Sequence, residues 1–113
     1  MTINFALKAD LLERGFSVAD DGLRMNYAMG SIANYQKCSI TLGHRVFGDI
    51  ANEWFYMVRF ESFAESGQPE IDHHTISEFY IAESKIVDFL KSKGIFTKAE
   101  REERRAELRR RRG

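Results

Sequence analysis

Residues 52–63, Asn-Glu-Trp-Phe-Tyr-Met-Val-Arg-Phe-Glu-Ser-Phe, alternate in a way that leaves this chain few folds to choose from. Trp54, Tyr56, Val58 and Phe60 fall every second residue, so on a strand they share one face, while Phe55, Met57, Arg59 and Glu61 share the other. The aromatic and β-branched content suits a pleated sheet, and the apolar start of the second face calls for cover there too. Residues 34–47 carry the same period: Cys38, Ile40, Leu42, His44 and Val46 alternate with Lys37, Ser39, Thr41, Gly43 and Arg45. With residues 47–52 as the connection, the two segments predict long antiparallel neighbours. Gly43 inside one of them marks a bulge or a close backbone approach.

The flanks read as helices and turns. Ile3, Leu7 and Leu11 lie four apart in an amphipathic helix over 4–14, stopped by Gly15, with Phe16 folding back behind it. Residues 16–27 read as a hairpin about a tight Asp21-Gly22 turn in which both residues need positive φ. A second turn near Gly30 and Ser31 leads into the strand at 34. Residues 64–74, with the single proline Pro69, read as a loop carrying His73 and His74. A short strand over 75–81 follows, although the same residues also fit the start of one longer helix. A helix over 84–93 then has Ser84 as its N-cap and Gly94 as its stop. Thr97-Lys-Ala-Glu100 is a capping box opening a last helix. Arg101 stands where an apolar partner for Phe96 would complete a staple. From Ala99 to Arg112 only Ala99, Ala106 and Leu108 are apolar, so this helix lacks a docking stripe and is expected to project into solvent. Glu100 with Arg104 and Glu107 with Arg111 support it, and Arg101 with Arg105 opposes it. The fold class is therefore α+β: an antiparallel sheet of four to five strands, an N-terminal helix, a packed C-terminal helix and a projecting charged helix, with one domain over 1–96 and an Arg-rich segment over 97–113.

A length of 113 residues suits one domain with one core. No apolar run reaches the roughly 20 residues of a spanning helix, and the first residues lack a secretion-signal pattern, so the expectation is an intracellular, cytoplasmic protein with no membrane partner. The lone Cys38 agrees, having no partner for a disulfide. Seventeen acidic and seventeen basic residues cancel. From Lys98 onward, however, eight basic residues face four acidic ones, so this segment is net +4 and the rest net −4. That asymmetry points to an anionic partner for the tail, or to a tail that meets the body of another copy.

No phosphate-binding glycine loop, nucleophile elbow or zinc spacing is present. Cys38 and His44 share a strand face in this reading but stand six residues apart, about 20 Å, too far for a dyad. His73 and His74 point opposite ways if extended, and Asp20 and Asp21 read as turn acids rather than metal ligands. Glu61, Glu65, Glu70 and Asp72 cluster about one loop without the rigid spacing that acid–base work needs. The expectation is a non-enzyme with no cofactor, no metal and no catalytic residues. Trp54, Phe55, Tyr56 and Phe60 suggest a stacking platform for single strands, but few basic residues share their faces, and core packing accounts for Trp54, Tyr56 and Phe60.

What is left is binding. Phe55, Met57, Arg59 and Arg45 are the candidate protein-contact residues, serving a protein partner or a homodimer through the sheet's face or edge. Arg101, Arg104, Arg105, Arg109, Arg110, Arg111 and Arg112 are candidates for nucleic acid or another anionic partner. Residues 89–100, with their closing helix, glycine stop and recapped helix, resemble the endings of many small bacterial and bacteriophage proteins. The resemblance implies no function, though a small phage-type accessory or inhibitor protein fits the size.

Overall fold

In the computed structural model, which describes residues 2–19, 21–48, 52–68 and 72–112, the two alternating segments are strands β3 (Asn34–Phe47) and β4 (Asn52–Ala64). They are the centre of a five-stranded antiparallel sheet in which β1 (Ser17–Val18), β2 (Arg24–Ser31), β3, β4 and β5 (His73–Ala82) lie side by side in chain order. Helix α1 (Phe5–Glu13) precedes the sheet; a 3₁₀ turn (Glu83–Lys85), α2 (Ile86–Ser92) and α3 (Lys98–Arg112) follow it. The α+β class expected from the sequence is the one observed, with five strands. Among the described residues, no helix is long and apolar enough to cross a membrane.

One face of the sheet carries the core. Met25 and Tyr27 from β2, Cys38 and Ile40 from β3, and Tyr56, Val58 and Phe60 from β4 are buried there against Leu7 and Leu11 of α1 and Ile86 and Leu90 of α2. Asn4 caps α1 by accepting from the backbone N–H groups of Ala6 and Leu7. Both α1 and α2 end on the same device. Gly15, at φ +101°, lets Phe16 N–H reach Leu11 O (3.0 Å) and its own N–H reach Leu12 O (3.1 Å). Gly94 repeats this with Ile95 on Leu90 O and itself on Lys91 O, both at 3.0 Å. The residue after each glycine, Phe16 or Ile95, is thereby folded into the core.

Several expectations are corrected. The register shifts by one between Leu42 and His44, so Gly43 is a bulge and every residue after it changes sides. His44 therefore pairs with Phe55 on the outer face, opposite Cys38, and Arg45 pairs with Trp54 on the core side. The β1–β2 connection is longer than a two-residue turn. Asp21 does not take positive φ; its carboxylate instead accepts from Leu23 N–H at 2.9 Å, and among the described residues of the connection Gly22 alone is left-handed. Asp20 lies outside the described residues, as do residues 49–51 and Pro69, Glu70 and Ile71. The β2–β3 turn falls at residues 32–33, past Gly30 and Ser31. Residues 75–81 are strand, and β5 starts early enough to take His73 and His74 out of the expected loop. Ser84 does not cap α2: its N–H and hydroxyl donate to the Glu53 carboxylate at 3.2 and 3.3 Å, and the chain there is a 3₁₀ turn.

The expected capping box is formed, with Glu100 N–H on Thr97 Oγ1 (3.1 Å) and Thr97 N–H on Glu100 Oε1 (3.2 Å). Glu100 does not pair with Arg104 as expected. It takes a two-pronged contact from Arg14 (2.7 and 2.9 Å), which also donates to the Asp10 carboxylate (2.7 and 3.3 Å) and to Ile95 O (3.0 Å). Burial opposes the Arg14 charge, but Glu100 and Asp10 outweigh it and hold the guanidinium above its ordinary value. The Arg14 side chain is only 1 % exposed. This one residue joins the end of α1, the α2–α3 link and the start of α3. No residue of α3 itself is buried.

Candidate interaction surface

With α1 and α2 packed on one face, the other face of the sheet has no covering element among the described residues, and the register sets its rows. His44, Phe55 and Ala82 form one row; Thr41, Met57 and Tyr80 the next; then Ser39, Arg59 and Glu78; then Lys37, Glu61 and Ile76; then Tyr35, Phe63 and His74. The two ends of this surface are aromatic. At one, the His44 ring stacks 6.2 Å from Phe55 and meets the edge of Tyr80 at 5.2 Å. At the other, Tyr35 stacks on Phe63 at 5.6 Å, with His74 edge-on to Phe63 at 5.9 Å. Ile76 and Tyr80 are about half exposed, while Phe55, Met57 and Phe63 are half-buried.

Between the aromatic ends the charges satisfy one another. Glu61 accepts from Tyr35 Oη (2.7 Å) and Arg59 Nη1 (2.9 Å), and His74 Nε2 stands 3.1 Å from it. Arg59 Nε donates to Glu78 at 3.2 Å, and Lys37 sits over the Tyr35 ring at 5.0 Å. The hydrogen bonds from Tyr35, His74 and Arg59 bring the Glu61 carboxyl down from an ordinary 4.5 to about 2. Its pKa is lower in the folded chain than in the unfolded one, so its stabilising contribution is complete above pH 4.5 and is lost as pH falls toward about 2. In a series of melts across that interval, Glu61→Gln is expected to flatten the fall of Tm with acidification, the variant and the parent converging at the acid end. Parallel curves would remove Glu61 from the acid response.

Of the four residues expected to form one contact patch, the structure brings Phe55, Met57 and Arg59 together and separates Arg45. Beyond the bulge, Arg45 donates to Asn52 Oδ1 (3.2 Å) and lies over the Phe47 ring (5.2 Å). His44, Tyr80, Ile76, Tyr35, Phe63 and His74 complete the surface. The every-second-residue spacing that Tyr35 shares with Lys37, Ser39 and Thr41 carried a signal for the first of the β3 members; His44 carried none, because the bulge reverses its parity. Cys38 is a core residue, its thiol pushed up to about 12 by burial, so it is a packed hydrophobe and not a thiolate. Tyr56, also in the core, donates to Glu83 at 2.6 Å. Among the described residues, no three His, Cys, Asp or Glu side chains are grouped as metal ligands require.

The seven candidate arginines of α3 are all exposed. Two of them are engaged: Arg104 lies 4.5 Å over the Phe96 ring, filling the role of the missing apolar staple, and Arg111 bonds Glu107 at 2.9 Å, the pair expected from their spacing. The β5 edge, ten residues long, has no strand beyond it among the described residues. No protein-family model, curated protein or solved structure matches this chain.

Proposed function

We propose that this protein is a non-catalytic binding module whose open sheet face receives a protein surface, with a second copy of the same chain as its partner. The observation that carries the reading is a five-stranded sheet that, among the described residues, is packed on one side only, with aromatic and aliphatic side chains left on the other. The overlap of β3, β4 and β5 is about 33 Å long and, with β2, about 20 Å wide. That makes about 700 Å² per copy, close to the roughly 800 Å² per partner of a standard interface. Lys37 and Arg59 balance Glu61 and Glu78 at the centre, which suits a two-fold contact in which each copy meets the same patch and exchanges ion-pair partners.

Light scattering over a concentration series tests this. The parent chain is expected at twice the monomer mass, and Tyr80→Asp, at an exposed ring, at the monomer mass. Phe55→Asp and Met57→Asp belong in the same set, read together with their melts because both side chains are half-buried. A parent chain that stays monomeric throughout, with variants that behave identically, sinks the reading.

A further inference from the structure

The glutamates that interrupt the C-terminal arginines in sequence do not interrupt them in space. At about 100° per residue, Lys98, Arg101, Arg105, Arg109 and Arg112 recur at steps of three or four along α3 and fall within about 80° of arc. Glu100, Glu103 and Glu107 gather on nearly the opposite side. Two of those three acids are already occupied, Glu100 by Arg14 and Glu107 by Arg111. All five residues of the basic stripe are exposed, and among the described residues none of them has an acidic side chain in ion-pair contact. Glu102 alone borders it.

The chemistry of the stripe narrows what it fits. Four of its five cations are arginine, whose planar fork grips phosphate oxygens in pairs. It runs for about 21 Å along a helix about 10–12 Å across, a width that matches the roughly 12 Å major groove of a DNA duplex. A duplex offers about one phosphate per 1.7 Å of axis, so the stripe meets a continuous line of charge without needing a register. A lipid surface is disfavoured because α3 has no apolar face, Leu108 being its only large apolar residue. Single strands are disfavoured because no aromatic residue follows Phe96 to stack on bases. The clamp at Arg14 holds the first turn of the helix to the body, so the stripe is presented on an anchored element.

We propose that Lys98, Arg101, Arg105, Arg109 and Arg112 form a sequence-independent binding stripe for the phosphate backbone of duplex DNA, separate from the sheet face.

The test is fluorescence anisotropy of a short mixed-sequence duplex against the full chain at several salt concentrations. The logarithm of the binding constant is expected to fall with the logarithm of salt at a slope of about −4. Arg105→Gln with Arg109→Gln should weaken binding about tenfold or more and make the slope shallower by about 2. Arg110→Gln with Arg111→Gln removes the same net charge from outside the stripe and should leave affinity within about threefold. Glu102→Gln should tighten binding. Binding should keep its dependence on Arg105 and Arg109 whether the chain is a monomer or a dimer, which separates this site from the sheet face. The proposal is overturned if the parent chain does not bind the duplex, or if both double variants lose affinity equally, since net charge alone would then explain the result. It is also overturned if phosphatidylserine vesicles or polyglutamate hold the protein as well as the duplex does.

Discussion

Arg14→Met is expected to lower the unfolding free energy by about 3 kcal/mol, the lower end of what breaking a buried ion pair costs. The lower end applies because Asp10 and Glu100, left behind, are 29 % and 25 % exposed and can recover water. At this chain length the loss corresponds to a fall in Tm of about 12 °C. The arginine supplies five hydrogen bonds to three separate elements, and methionine fills its volume without replacing any of them. A second readout follows from α3. Fifteen residues with none buried are marginal as a free helix, so loosening the first turn should also reduce the helical circular dichroism. Glu100→Ala removes the cap and the clamp together, and a double-mutant cycle with Arg14→Met should return a coupling above about 1 kcal/mol. A Tm within about 4 °C of the parent in Arg14→Met would show that the clamp is not what holds these elements.

Gly43→Val should cost about 2–3 kcal/mol, whereas deleting Gly43 altogether should cost less. A β-carbon built at this bulge stands 2.7 Å from Phe55 O and 3.3 Å from Tyr80 Cε1. The carbonyl oxygen is backbone in the central strand, so it cannot swing aside as a long side chain does. Removing the residue leaves the pairing on both sides in step: Leu42 already faces Tyr56 and His44 already faces Phe55, so the ladder closes up without a slip. Thermal melts of the two variants should rank deletion above substitution. The reverse order would mean that the bulge, through the extra twist it adds, stabilises the sheet more than the close contact constrains it.

What the chain discloses on its own is what near neighbours decide. Gly15 and Gly94 announce their helix stops, Thr97 and Glu100 their capping box, and residues 52–63 their two faces, because each signal acts within a few residues. The parity of His44 and Arg45 was hidden. Gly43 has no side chain to say which way the strand turns there, so a regular alternation placed both residues on the wrong side. Ser84 looks like an N-cap until Glu53, 31 residues earlier, takes its hydrogen bonds. The partnership of Arg14 with Glu100 spans 86 residues and leaves no local trace. The open face was legible in part: Phe55, Met57 and Arg59 follow from alternation, but the rings that join them come from β3 and β5, whose register only the folded sheet supplies.

The side-by-side order of the strands also shapes how the molecule comes to be folded. Every strand pairs with its neighbour in sequence, so the sheet closes only short loops as it grows and its pairing is fast to nucleate. The helices that cover it come from opposite ends of the sheet's own segment of chain, and their meeting through Arg14, Ile95 and Glu100 closes a loop of more than 80 residues. During synthesis, therefore, the apolar side of a completed sheet is bare on the half that α2 covers until residues 86–100 have left the ribosome. That interval is when the nascent chain is most exposed to unwanted association.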